Sequence, residues 1–236
     1  MASRYETVFL DVGHTLIWPY PSYEKLSLRA YHRAGVAVEL ARLKEAIDEI
    51  WAEVFAQDPT ATYEATEEAN RQFLWEVESR IFDRLGVRER REEIFEHLMA
   101  LFNDPANYRL FPDVHPTLAA LKKRDLQLAI VSNWSWRLPD LVRELGLADY
   151  FDFIVVSARV GCAKPHPGIF QAALQRARAR PEQAIHVGDS YHADVLGAQA
   201  VGITGVLLDR EDKVEVDGHV KIRGLEELLT ILEGRR

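Results

Sequence analysis

After Pro112 the sequence alternates short apolar runs with amphipathic segments, and this alternation restricts the possible fold more than any other feature. Residues 114–123, 138–145, 168–178, 193–200 and 225–232 repeat apolar side chains at helical intervals, whereas residues 128–131, 153–156, 184–187 and 203–207 read as short buried strands. Strands and helices in regular turn require crossovers that place helices on both faces of a parallel sheet, so the expected fold class is α/β, a doubly wound parallel sheet. One more strand is expected near the N-terminus at residues 8–10. Between it and the alternating region, residues 23–104 carry only helical periods, with Leu43, Ile47, Ile50 and Val54 on one face and Phe73, Val77, Ile81 and Leu85 on another. That block is too long for a simple crossover and implies an inserted α-helical domain. The expected division is an α/β core of residues 1–17 and 108–236 and a helical domain of residues 18–107.

A sheet covered on both faces needs a large core, which 236 residues with 47% hydrophobic side chains can supply. The 29 Lys and Arg against 37 Asp and Glu give a net charge of −8, which argues against nonspecific binding to nucleic acid or to an anionic membrane. An anionic substrate therefore needs a local cationic site. The single cysteine, Cys162, excludes an intrachain disulfide and any cysteine-clustered zinc or iron–sulfur centre. With neither a secretory apolar segment near Met1 nor a membrane-length apolar run, the expected location is cytoplasmic, as a monomer or homodimer.

In open parallel sheets, ligands bind outside the carboxyl ends of the strands. Strand 8–10 runs into Asp11, Val12, Gly13, His14 and Thr15; strand 128–131 into Ser132 and Asn133; strand 184–187 into Gly188, Asp189 and Ser190. A later loop carries Lys164 before Pro165. Two carboxylates in one crevice repel unless a cation joins them, and hard oxygen ligands suit Mg²⁺. Mg²⁺ beside a lysine points to phosphate, with Asp11 as nucleophile, Lys164 stabilising negative charge and Thr15 or Ser132 donating to phosphoryl oxygens.

The run Phe9 to Leu16, Val131-Ser132-Asn133, Lys164-Pro165 and Val187-Gly188-Asp189-Ser190 with Asp194 resembles the haloacid dehalogenase superfamily, in the branch whose helical cap follows the first motif. The resemblance spans nearly the whole chain. It implies a Rossmann-like core in which Asp11 is the nucleophile and Ser132 and Lys164 bind the phosphoryl group. Asp11, Asp189 and the Gly13 carbonyl would hold Mg²⁺, and Asp194 with Ser190 would orient that metal set. Thr15, Asn133 and His14 are the expected contacts to a small phosphorylated substrate.

One position departs from the pattern. Phosphatases of this superfamily carry a second aspartate two residues after the nucleophile, as acid and base, and here Gly13 stands there. General acid–base catalysis is worth roughly 10² to 10⁴ in rate, so reduced turnover is expected. His14 or His192 could substitute; alternatively, His14 points away after a tight turn that Gly13 makes possible. Dehalogenases of the superfamily also lack the second acid, so a 2-haloacid dehalogenase and a catalytically weak binding or regulatory protein remain alternatives.

Trp18, Tyr20 and Tyr23, near the hinge into the helical domain, and Trp134 and Trp136 are candidate pocket aromatics. Arg29 and Arg33 could face an anion or solvent. The sequence contains no GxxxxGK, GxGxxG, HExxH or GxSxG motif.

Overall fold

The computed structural model describes residues 5–56 and 60–234. In chain order the elements are β1 (Thr7–Leu10), β2 (Ile17–Pro19), α1 (Tyr23–Arg33), α2 (Leu40–Phe55), α3 (Glu67–Leu85), α4 (Arg91–Asn103), β3 (Tyr108–Leu110), α5 (Val114–Lys122) and β4 (Gln127–Ser132). There follow α6 (Leu138–Glu144), β5 (Phe153–Val156), α7 (Ser157–Val160), α8 (Pro167–Ala177), β6 (Ala184–Gly188), α9 (Gly197–Gln199), β7 (Thr204–Leu208), β8 (Val220–Ile222) and α10 (Glu227–Leu232). The chain divides into two compact units, Met1–Ile17 with Leu110–Arg236, and Trp18–Arg109. Among the described residues no helix is long and apolar enough to cross a membrane.

The first unit is built on a six-stranded sheet in the order β5-β4-β1-β6-β7-β8, parallel throughout. Every residue of β1 and β6 is buried, as expected for central strands covered on both faces. One face packs Phe9, Ala129, Val131 and Val155 against Ile169, Phe170 and Ala173 of α8. From β1 the strand order runs outward through β4 and β5, then returns to β6 on the other side, so β1 lies at the reversal where such folds open a crevice.

Three strands escaped the sequence reading. Strands β2 and β3 have three residues each and form a two-stranded sheet with one another, too short for any period to show. The third, β8, is the edge strand Val-Lys-Ile, of which only Ile222 is buried. The helix expected over residues 193–200 begins instead as a π-helical turn, Tyr191–Leu196, before α9. There the Ser190 carbonyl accepts from both Asp194 N (2.9 Å) and Val195 N (3.3 Å), which winds the turn wide next to the strand end carrying Asp189.

The second unit consists of α1 to α4, and its core joins Tyr31, Leu43, Ile47, Ile50, Val77, Ile81, Phe82, Ile94 and Leu98. Local signals set the limits of α3. The Thr66 side chain accepts from Ala69 N at 3.1 Å at its start, and Gly86 ends it in the left-handed region at φ 74°. Phe73, expected on the buried face of α3, is 41% exposed instead and packs edge-on against Trp51 at 6.5 Å. On the same helix Glu78 is buried, and burial pushes its carboxyl up to about 8. No cation pairs with it among the described residues.

Candidate active site

Parallel register brings the strand ends level. Leu10 pairs with both Ile130 and Val187, and the Asp11 amide donates to the Val187 carbonyl at 2.9 Å. Asp11, Ser132 and Asp189 therefore lie along one edge of the sheet, each one or two residues past a pairing that fixes its height.

Lys164 comes to this edge from the loop after α7 and is buried. Its Nζ donates to Asp11 Oδ1 at 2.7 Å, to the Val131 carbonyl at 2.9 Å and to Asp194 Oδ1. Burial would lower an ammonium's pKa, but the charges of Asp11 and Asp194 and their hydrogen bonds outweigh it and hold Lys164 above its ordinary value. Burial likewise works against the Asp194 carboxylate, and Lys164 and His186 reverse it, holding Asp194 well below the usual range. Asn133 keeps the lysine in place. Its Oδ1 accepts from Lys164 N at 2.7 Å and its Nδ2 donates to the Lys164 carbonyl at 2.9 Å. Expected on the substrate, the Asn133 amide is instead turned to the Lys164 backbone, because Lys164 otherwise sits in a loop with no ladder to fix it.

Asp194 is spent on structure. Its Oδ1 meets His186 Nε2 at 2.8 Å as well as Lys164, and its Oδ2 accepts from Ser190 N at 2.9 Å. Ser190 Oγ in turn accepts from Ala193 N at 3.1 Å. A Cβ at Gly188 would lie 2.2 Å from the Asp194 carboxyl carbon, so only glycine lets this carboxylate come so close to the strand. Burial depresses the His186 pKa, against the opposing hydrogen bond and charge of Asp194. His186 meets Asp194 through Nε2, and its Nδ1 is buried without a partner among the described residues.

Asp11, Asp189 and Asp194 each offer a carboxylate oxygen within 4.8 Å of the others. Asp11 and Asp194 are buried and Asp189 is exposed, so an ion arriving from solvent can reach the group. Close packing around the Asp189 carboxyl, with the charges of Asp11 and Asp194 facing it, pushes it up to about 8. An all-oxygen, doubly or triply anionic set of this kind matches a hard divalent cation.

The nucleophile loop turns tightly. Thr15 N donates to the Gly13 carbonyl at 2.6 Å, and His14 N to the Ile17 carbonyl at 2.8 Å. The left-handed residue here is His14 itself, at φ 51°, rather than Gly13, and the His14 side chain is exposed. What Gly13 provides is room, since a Cβ built there would stand 3.2 Å from Cζ3 of Trp134. Trp134 is held by Ser157, whose Oγ accepts from Trp134 N at 3.1 Å and donates to the Trp134 carbonyl at 3.3 Å. The hydroxyls of Thr15 and Ser132 are buried and have no hydrogen-bond partner among the described residues.

The structure thus brings Asp11, Gly13, Thr15, Ser132, Asn133, Lys164, Asp189, Ser190 and Asp194 to one sheet edge. His192 and His14 are exposed. Cys162 is buried in the apolar cluster with Ile169 and Phe170, and Tyr23 stacks on Phe102 at 4.5 Å inside the helical unit. Arg29 and Arg33 are exposed on α1. Sequence reading missed His186 and Ser157. A polar residue inside the run Ala-Ile-His-Val was a visible signal for the first, and Ser157 follows β5 as Asp11 follows β1.

Comparison with known proteins agrees with this geometry. The family model of haloacid dehalogenase-like hydrolases matches residues 5–202. The haloacid dehalogenase-like hydrolase domain-containing protein 3 of Mus musculus is 40% identical over 141 residues, which cover 59% of this chain and 56% of that protein. The match thus spans little more than half the length of that relative. A phosphoserine phosphatase of Thermus thermophilus is 31% identical over 225 residues, covering 86% of this chain and 88% of that one. The crystal structure of a 2-haloacid dehalogenase from Pseudomonas syringae superposes with a TM-score of 0.67 at 27% identity, over 98% of this chain and 99% of the other. The chain belongs to the haloacid dehalogenase-like hydrolase family.

Proposed function

We propose that this hydrolase is a Mg²⁺-dependent phosphatase that passes the phosphoryl group of a small phosphorylated substrate through Asp11, with the helical segment 18–107 as its cap. One observation carries the reading: a carboxylate fixed by a buried ammonium stands beside two buried hydroxyls, Thr15 and Ser132, that have no partner among the described residues. Unpartnered buried donors are costly, by roughly 1–3 kcal/mol each, and phosphoryl oxygens would satisfy them. The 31% identity to a protein named phosphoserine phosphatase supports the same class of substrate.

The donor set fits Mg²⁺. Asp11 and Asp189, with the Gly13 carbonyl, would hold it, while Asp194 is already engaged by Lys164, His186 and Ser190. When bound, Mg²⁺ supplies positive charge to the phosphoryl oxygens and to the carboxylates that otherwise repel.

Lys164 anchors Oδ1 of Asp11 and leaves Oδ2 to attack phosphorus. The bond from Asp11 to phosphorus forms as the ester P–O bond breaks, and the departing oxygen takes its proton from water. Water then attacks the aspartyl phosphate, phosphate leaves, and the carboxylate is restored. Because Gly13 has no titratable group, substrates whose leaving oxygen departs without protonation, such as aryl or acyl phosphates, suffer least. A burst of one product per site followed by slow phosphate release is the expected time course.

A second reading, a 2-haloacid dehalogenase, draws on the 27% identity to such an enzyme and on the missing acid at residue 13. Against it stands Asp189, a further carboxyl beside Asp11 that suits a metal ion and that a metal-free site for a halogenated carboxylate does not need. The deciding assay gives wild type and Asp11→Asn p-nitrophenyl phosphate or 2-chloropropionate, each with Mg²⁺ or with chelator. Mg²⁺-dependent phosphate release that disappears in Asp11→Asn supports the phosphatase. Chelator-insensitive chloride release that disappears in the same variant replaces it with the dehalogenase. Silence on both substrates favours a binding protein.

A further inference from the structure

We infer that Arg210, two residues beyond the end of β7, is a positioning residue for the nucleophile loop, acting through the backbone of Thr15; its catalytic consequence rests on the phosphatase reading. Arg210 Nη2 donates to the Thr15 carbonyl at 2.8 Å. The same guanidinium forks onto Asp113, Nη1 to Oδ2 at 2.8 Å and Nη2 to Oδ1 at 3.1 Å. Asp113 Oδ2 also accepts from Leu225 N at 2.8 Å, and the guanidinium carbon lies 3.7 Å above the Phe111 ring. Both charged side chains are only 16% exposed. Despite the opposing effect of burial, the Arg210 and Leu225 hydrogen bonds hold Asp113 below the usual carboxylate range, so the pair stays ionised.

Within the loop, the carbonyls of Val12, Gly13 and Ile17 are taken by the loop's own amides, and that of Leu16 accepts from Phe111 N at 3.1 Å. Val12 accepts from Leu16 and Ile17, Gly13 from Thr15, and Ile17 from His14. The Thr15 carbonyl is held from outside, by Arg210, and this anchor fixes the peptide plane next to the residue whose hydroxyl is buried and unpartnered. Rotation of that plane would swing Thr15 Oγ1 away from the position it offers a phosphoryl oxygen, and misplacements of about 1 Å in such sites cost up to about 10²-fold in rate. Only arginine can make this contact, since one planar fork meets a carboxylate and a carbonyl together while its face lies on an aromatic ring. Nothing in the sequence flags it: Asp113 and Arg210 are 97 residues apart.

The test compares wild type, Arg210→Ala and Arg210→Lys by two independent readouts. Amide hydrogen exchange over residues 12–17 reports the loop without any turnover; it should rise in both variants while exchange in β4 stays at the wild-type level. Steady-state kinetics with p-nitrophenyl phosphate should show kcat reduced about ten- to a hundredfold, little recovery in Arg210→Lys, and partial rescue of Arg210→Ala by added guanidinium. Wild-type exchange over residues 12–17 in folded Arg210→Ala, or unchanged kcat, overturns the assignment. If the alanine variant does not fold, Arg210→Lys carries both readouts, because it keeps the charge and most of the volume. A wild type that releases no phosphate sinks the phosphatase reading alone, and the exchange data still decide whether Arg210 holds the loop.

Discussion

The two units solve the burial of an acid in opposite ways. In the α/β unit, the Lys164 ammonium bridges Asp11 and Asp194, and Asp194 also meets His186, so at Asp194 burial is overridden and the carboxylate is held below the usual range. In the helical unit, Glu78 has no such cation, and burial wins: its carboxyl is pushed up to about 8 and is largely neutral at physiological pH. Around it stand Tyr23 and Tyr31, whose hydroxyls are driven further up by burial and by Glu78, with Arg91 acting on Tyr31 in the other direction. The difference separates a site from a core. Charge is maintained where a partner is built for it, as chemistry requires, and is given up where packing alone surrounds the group.

The largest expected effect comes from breaking the pair in the α/β unit. Lys164→Met should abolish turnover and destabilise the protein by about 3–5 kcal/mol at pH 7, because two buried carboxylates lose their shared cation. Urea denaturation measures it, and a stability loss below about 1 kcal/mol would mean that the site tolerates unpaired charge.

The helical unit should respond in the reverse sense. Glu78 is neutral when folded up to about 8, whereas the unfolded chain ionises near its ordinary 4.5. Its contribution is therefore fully present below pH 4.5 and is lost as pH rises from there through about 8. Glu78→Gln should flatten this dependence and stabilise the protein at pH 8 by about 2–4 kcal/mol. Parallel stability curves for the two proteins between pH 5 and 8 would show that Glu78 has a partner in solution.

The smallest effect on stability concerns Gly13. Gly13→Asp alone presses a side chain against Trp134, at a cost of about 1–3 kcal/mol. Combined with Trp134→Gly, the acid has room and should raise turnover of alkyl phosphates by up to about 10²-fold. A folded double variant with no gain would separate the slow chemistry from the missing acid.

Much of the site could be read from the sequence because parallel sheets place their chemistry at strand ends. Asp11 and Ser132 follow continuous apolar runs and Asp189 a mostly apolar one, and register brings them together. What escaped has a common cause. Asn133 follows a strand end and Asp194 enters through the family resemblance, but which atom each spends on Lys164 depends on loop geometry. His186 and Glu78 are polar residues inside apolar patterns, and a pattern that counts apolar positions passes over them. Residues three and four beyond Glu78, Ile81 and Phe82, are both fully buried, so its place on the core face of α3 was legible in principle. β2, β3 and β8, of three residues each, are shorter than the period that would announce them.

The central claim is that Asp11 carries the phosphoryl group. Acid quenching during turnover of p-nitrophenyl phosphate, followed by peptide mass analysis, tests it directly. The account predicts a phosphorylated peptide containing Asp11 that accumulates in the burst and is absent from Asp11→Asn. Phosphate release with an unmodified chain throughout, or modification of a different residue, would contradict it.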